Sequence, residues 1–226
     1  FVKRIPKDSQ MMDEYLTQLN HELLTYQDHF KTIETIYIGG GTPSMMSVAQ
    51  LRVLFEMLKE IHPSEYTIEV NPESYSEEKG RLFKAYGINR ISLGVQSFDN
   101  ELLKYLNRKH TKDDIYRVIQ HLKSLDIQRI SIDLIYAIPK QTVTQLYEDL
   151  AHVKALDITH VSCYSFILEE KTYFYHQYLK GNFQEMDEDS EATMYQIVMD
   201  ELMKQGFEHY EISNFSKPGF YSRHNT

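Results

Sequence analysis

Two hydrophobic periods alternate along this chain. Apolar residues recur every three to four positions in MMDEYLTQLNHELLTY, where Met12, Tyr15, Leu16, Leu19, Leu23 and Tyr26 share a stripe. They do so again in VAQLRVLFEMLKEI, through Leu51, Leu54, Phe55, Leu58 and Ile61. Such spacing predicts amphipathic helices. DIYRVIQHLKSL and QLYEDLAHVKAL repeat it, each preceded by a capping-box pattern, Thr111 with Asp114 and Thr142 with Gln145. Between the helices lie short runs rich in β-branched residues, TIYIG, YTIEVN, RISLGVQ, RISIDLIY and HVSCYSF, which predict five strands. The strand-to-strand repeat of about thirty residues is the size of a βαβ unit, so a parallel sheet with right-handed crossovers is expected. An α/β barrel or an open α/β sheet satisfies that pattern. After residue 170 come a Tyr-rich loop, a helix over SEATMYQIVMDELMKQ closed by Gly206, and a strand-like FEHYEIS, an α+β appendage to the body.

Within the strands the residues alternate, although a parallel strand buried on both faces reads as a continuous apolar run. One parity holds Ile36 and Ile38, Ile68 and Val70, Ile91, Leu93 and Val95, and Ile130, Ile132 and Leu134. That face is expected to meet the helices. The other parity holds Tyr37, Gly39 and Gly41, Thr67, Glu69 and Asn71, Ser92, Gly94 and Gln96, and Ser131 and Asp133. A barrel interior is ordinarily filled by Val, Ile and Leu, so an interior this polar calls for a ligand or water. Several of these groups sit at the C-terminal ends of their strands, where α/β barrels carry their active sites. The pattern alone therefore locates a polar site among Gly39 to Thr42, Glu69, Gln96 and Asp133.

The stretch IETIYIGGGTPSMM carries the least ordinary chemistry, since three glycines where a strand yields to a helix leave no side chain over the backbone. A tight turn without a ligand is one reading; the other is a cradle whose amides and Thr42 hydroxyl meet a carboxylate or amino group. No GK[ST] follows, which excludes a nucleotide P-loop. Glu69, Gln96 and Asp133 share a parity and offer acceptors and an amide suited to an ammonium, ribose hydroxyls and a purine edge. Arg108 in YLNRKH reads on spacing alone as a solvated charge near a helix end. No histidine pair has zinc-ligand spacing, and Cys163 lies on the helix-facing parity as a small buried residue.

Composition narrows the partners. The 226 residues carry 24 basic against 33 acidic side chains, a formal charge of −9, which disfavours nucleic acid and allows at most a transient membrane contact. No apolar run approaches the ~20 residues of a membrane span, and no basic-then-apolar leader opens the chain, so a cytoplasmic protein is expected. A single cysteine excludes a disulfide framework or a cysteine-rich metal site built from these residues. The first residue, Phe1, and the last five, SRHNT, read as cut ends.

The series YIGGGTPS, IEVNPE, ISLGVQSF, LNRKH, IDLIYAIPKQT and YEISNFSKPGFYSRHN resembles the radical S-adenosylmethionine (SAM) family of oxygen-independent coproporphyrinogen III oxidases and their haem-chaperone relatives, from about residue 10 to the end. The resemblance implies a partial (β/α)6 TIM-like barrel lacking its first strand over residues 1–170, and the start of the family's C-terminal region over 171–226. It implies that Gly40, Gly41 and Thr42 hold the methionine end of SAM, that Glu69 and Gln96 meet its polar groups, and that Arg108 and Asp133 add further contacts. It also implies a [4Fe-4S] cluster on a CxxxCxxC loop that would precede Phe1, so that this stretch by itself does no radical chemistry. The ending is similar to the haem-chaperone branch, whose HNxxYW signature would start at His224 and Asn225, with His224 a candidate haem contact. The function so implied is haem binding and transfer to an acceptor protein, with an electron donor for the cluster. The alternative within the family is oxidative decarboxylation of coproporphyrinogen III. Outside it, an ordinary barrel enzyme could use Glu69 and Asp133 as acid and base.

Overall fold

The expected alternation of helix and strand is realised, with most boundaries set by local chemistry. The computed structural model describes residues 9–182 and 184–226. In chain order the elements are α1 (Ser9–Thr25), β1 (Thr35–Ile38), α2 (Val48–Leu58), β2 (Glu65–Val70), α3 (Glu77–Ala85), β3 (Arg90–Gln96), α4 (Asn100–Tyr105), α5 (Lys112–Ser124), β4 (Arg129–Tyr136), α6 (Val143–Ala155), β5 (His160–Ser165), α7 (Tyr173–Leu179), α8 (Glu188–Lys204), β6 (Glu208–Glu211) and β7 (Asn214–Ser216). Both expected capping boxes form. Thr142 Oγ1 accepts the Gln145 N–H at 3.2 Å while Gln145 Oε1 accepts the Thr142 N–H at 2.9 Å. The Asp variant works equally: Asp114 Oδ2 accepts the Thr111 N–H at 2.9 Å, and Thr111 Oγ1 the Asp114 N–H at 3.3 Å. Each pair satisfies two amides that a helix start would leave without acceptors. Gly206 closes α8 with φ of 85°, its N–H reaching Met203 C=O and that of Phe207 reaching Leu202 C=O.

The strands form a seven-stranded sheet in the order β1-β2-β3-β4-β5-β7-β6. β1 with β2, β2 with β3, and β4 with β5 are parallel; β7 runs antiparallel to β5, and β6 antiparallel to β7. The C-terminal α+β region thus adds two strands to the main sheet. FEHYEIS supplies only the first of them, and NFS the second.

The described residues pack as two units, one of residues 94–116 and 131–221 and one of residues 9–93, 117–130 and 222–226, with β3 and β4 passing from one to the other. In the unit holding β1 and β2 the core is Leu51, Phe55, Ile68, Phe83 and Ile91, all at most 1% exposed. Burial of each such side chain contributes about 1.5–3 kcal/mol. α1 contributes little to that core, since Leu16 is buried but Met11, Tyr15 and Leu24 remain exposed. In the other unit, Leu102, Leu106, Ile138, Phe166 and Phe174 form one cluster, and Leu146, Leu150 and Val153 of α6 are buried, as are Val198 and Leu202 of α8. Of the helix-facing parity, Ile68, Val70, Ile91, Leu93, Val95, Ile130, Ile132 and Leu134 are at most 2% exposed, whereas Ile36 and Ile38 of β1 are only half-buried. Cys163 is buried as expected, and burial raises its thiol pKa well above the ordinary thiol range. No helix among the described residues is long and apolar enough to cross a membrane.

Candidate functional site

At the end of β1 the three glycines are glycine for three different reasons. A methyl on Gly39 would lie 2.6 Å from Tyr37 Cε1 and 2.8 Å from Glu69 Oε1, closer than carbon contacts permit. Gly40 has φ of 106°, a backbone that side-chain-bearing residues rarely adopt. Gly41 has neither excuse: its φ lies outside the left-handed region and no atom comes within 4 Å of where a Cβ would be. The fold therefore does not require glycine there, and the space above it is open. Thr42, whose hydroxyl donates to Gly41 C=O, then leads into Pro43, the first residue of a short 3₁₀ turn, Pro43–Met45.

The exits of β1 and β2 are stitched together by buried hydroxyls. Ser44, fully buried, accepts the Asn71 N–H at 3.1 Å on its Oγ and lies 2.6 Å from Ser74 Oγ. Asn71 Nδ2 reaches Thr42 Oγ1 at 3.4 Å, and Lys79 Nζ donates to Ser44 C=O at 2.6 Å and Ser74 C=O at 2.8 Å. An ammonium holding two loop carbonyls fixes the relative height of the GGGTPS and NPES turns. On the strand below, Tyr37 Oη donates to Glu69 Oε1 at 2.8 Å, so the carboxylate keeps one oxygen engaged by protein.

His224 belongs to the same unit. Its ring stacks on Tyr37 with centroids 4.5 Å apart and an 18° angle between planes. The backbone N–H of His224 donates to Glu65 Oε1 at 3.3 Å. Glu65, 1% exposed, also takes Arg90 Nε at 3.1 Å and Ser222 Oγ at 3.4 Å, and Arg129 lies at 3.8 Å. Arg223 donates to Glu34 at 2.6 Å and Ser64 at 2.7 Å. A buried carboxylate held by a buried guanidinium thus anchors the end of the chain to β1 and β2. Tyr37 joins two of the sequence-predicted residues, touching Glu69 through its hydroxyl and His224 through its ring.

The remaining candidates lie in the other unit. Gln96 ends β3, 7% exposed, with φ of 69°, and the Ser97 N–H bonds back to Val95 C=O at 2.9 Å. That is a positive-φ γ-turn, a rare and strained conformation for a residue bearing a side chain. Arg108 owes its place to the end of α4, a Schellman motif with Asn107 at φ of 55°. The Asn107 N–H reaches Lys104 C=O and the Arg108 N–H reaches Leu103 C=O. Asp133 is half-buried on β4, in register with Ser162 of β5. The sequence reading included Tyr37 and Asn71 only as members of the polar parity, and it passed over Ser44 and Lys79. Their signal was faint: a serine and a lysine in polar turns look like solvent-facing residues until their partners are known.

Residues 7–153 match the model of the radical SAM superfamily. Over 220 residues the chain is 41% identical to the heme chaperone HemW of Lactococcus lactis subsp. lactis (strain IL1403), covering 96% of this chain and 58% of that protein. Over 224 residues it is 38% identical to the heme chaperone HemW of Bacillus subtilis (strain 168), covering 96% and 59%. The chain thus spans about three fifths of the length of these curated relatives. Among solved structures, the coproporphyrinogen III oxidase HemN of Escherichia coli, a radical SAM enzyme, superposes with a TM-score of 0.83 at 24% identity, over 96% of this chain and 51% of that one. This likeness shows the fold, a partial α/β barrel of the radical SAM type.

Proposed function

The chain belongs to the radical SAM superfamily, and from that premise we propose that Gly40, Gly41, Thr42, Glu69, Gln96, Arg108 and Asp133 bind SAM. We further propose that the whole protein is a cytoplasmic haem chaperone that receives haem and passes it to an acceptor protein. The observation that carries the SAM reading is Gly41, a glycine that neither backbone conformation nor crowding demands, beneath open space and next in the chain to the Thr42 hydroxyl. The haem reading rests on the relatives at 41% and 38% identity, both heme chaperones.

In this reading the backbone at Gly40 and Gly41 comes against the methionine end of the ligand, where a side chain would intrude. Glu69, steadied by Tyr37, accepts from the ligand's ammonium. Gln96 offers both a donor and an acceptor, Asp133 accepts from ribose hydroxyls, and Arg108 supplies a fixed positive charge. When bound and reduced by one electron, SAM supplies a carbon-centred radical. The residues present do not fit the superfamily's [4Fe-4S] cluster. Cys163 is the single cysteine and is buried, and no cluster of His, Cys, Asp and Glu among the described residues could hold a metal ion. We place the cluster's ligands, and the docking of an electron donor, in the rest of the whole protein. His224, an exposed imidazole backed by Tyr37, is the haem contact in this reading.

The test is made on the natural full-length protein, purified anaerobically with its cluster verified. Calorimetric titration should show SAM binding that Gln96→Ala weakens, and haem should bind and transfer while coproporphyrinogen III is not turned over. Absence of SAM binding removes the site assignment. Product from coproporphyrinogen III overturns the chaperone reading and makes the protein an oxidase.

A further inference from the structure

The γ-turn at Gln96 is gripped from both sides. On the strand side, His110, 3% exposed, donates from Nε2 to Val95 C=O at 3.1 Å, the same carbonyl that closes the turn. On the far side, the Asp149 carboxylate of α6, 2% exposed, takes the Ser97 hydroxyl at 2.9 and 3.1 Å and the Phe98 N–H at 2.6 Å. The grip continues outward: Ser97 Oγ accepts the Asp99 N–H at 3.0 Å, and Gln145, one turn before Asp149 on α6, donates to Asp99 Oδ2 at 3.0 Å.

Asp149 sits where an apolar residue is expected. It lies in the buried stripe of α6 with Leu146, Leu150 and Val153, and a carboxylate there is disfavoured unless its oxygens are engaged. The groups engaging it belong to the two residues that follow Gln96. A strained backbone persists only where its surroundings over-determine it, and such residues concentrate at ligand sites. We propose that Asp149, with His110 as its counterpart across the turn, is a positioning residue that holds Gln96 at positive φ so that its carboxamide is aimed for SAM. The proposal deepens the SAM assignment of Gln96 and rests on it.

The experiment is a double-mutant cycle in the cluster-loaded, full-length protein, read as the dissociation constant for SAM. Asp149→Ala should weaken SAM binding about ten-fold, whereas Asp149→Asn, which keeps an acceptor for the Phe98 N–H, should stay within about three-fold. In a Gln96→Ala background, Asp149→Ala should add less than about two-fold, because the side chain it aims is gone. Equal losses in both backgrounds overturn the proposal and leave Asp149 a support of the fold alone. Ser97→Ala removes the hydroxyl part of the grip and leaves the Phe98 N–H on Asp149, so it must show a smaller coupling of the same sign, which covers failure of Asp149→Ala to fold. A readout independent of ligand completes the test. In a crystal structure of Asp149→Ala or Ser97→Ala, residue 96 should relax to negative φ, and retention of positive φ overturns the proposal whatever the affinity. Failure of the unmodified protein to bind SAM overturns instead the site assignment on which it rests.

Discussion

Gly41→Ala should make the protein more stable and a poorer binder of SAM. A methyl at this position meets nothing within 4 Å, and the backbone φ is one that alanine can take, so no strain opposes it. Alanine also narrows the unfolded ensemble, which is worth about 0.4–1 kcal/mol to the folded state. In the longer full-length protein that is a rise in Tm of about 1 °C. If a ligand lies on the glycine, the methyl must overlap it, and overpacking a fitted contact costs about 1–3 kcal/mol. Converted at about 1.4 kcal/mol per decade, SAM affinity falls about 5- to 150-fold. The neighbouring glycines calibrate the result. Gly40→Ala should lose stability because of its φ of 106°, and Gly39→Ala because the methyl meets Tyr37 and Glu69. Thermal unfolding and SAM titration of the three variants, in the full-length protein with its cluster, check this. A Gly41→Ala protein that is stabilised and binds SAM as before puts the ligand elsewhere. One destabilised by more than about 1 kcal/mol refutes the geometry, since such a loss needs a clash or strained φ that the structure lacks.

Asp149 should impose a pH slope on stability. Burial first, with Asp99 and Glu148 adding in the same direction, raises its carboxyl from 3.8 to about 7 against the opposing hydrogen bonds from Phe98 and Ser97. The unfolded chain then ionises this group above about pH 4 while the folded one stays protonated to about pH 7, so its contribution falls by as much as about 4 kcal/mol across that window and is level above it. Asp149→Asn should flatten the slope in urea unfolding between about pH 4 and pH 7, and an unchanged slope assigns it to other groups. Glu65→Ala should cost about 3–5 kcal/mol, because Arg90 at 1% exposure loses its carboxylate; denaturant unfolding measures it, and a loss under about 1 kcal/mol means that water or relaxation reaches the guanidinium. Gly80→Ala lies inside α3, where alanine is ordinarily better by about 1 kcal/mol. Here the methyl would lie 2.0 Å from Tyr75 Oη, which is held by His121 Nδ1 at 2.5 Å, so destabilisation by about 1–3 kcal/mol is expected. Repeating the substitution in a Tyr75→Phe background should recover most of it.

What the sequence made legible and what it did not divide along the range of the interaction. β3 and β4 begin and end where their β-branched runs do, and the boxes at Thr111 and Thr142 form as read, because alternation and capping are decided within a few residues. α3 was not read: EEKGRLFKA is short and polar, and its start depends on Ser76 accepting the Lys79 N–H, a signal that competes with many similar serines. β7 was missed because NFS is too short to show an alternation, and it is a strand through its pairing with β6 beside it and with β5 over fifty residues away. The polar strand face was visible as a parity, but parity gives a side of the strand and not what lies across from it. It therefore marked Glu69 without Tyr37 as its donor, just as the resemblance marked His224 without the ring it stacks on. Asp149 is the instructive case, since a carboxylate amid Leu146, Leu150 and Val153 breaks the helical pattern in plain view. Such a break states that a buried charge needs partners, and the partners prove to be the loop that carries Gln96. A polar residue on an apolar stripe is thus a pointer to a site one packing layer away, and it could have been followed from the sequence, although only to the existence of partners and not to their identity.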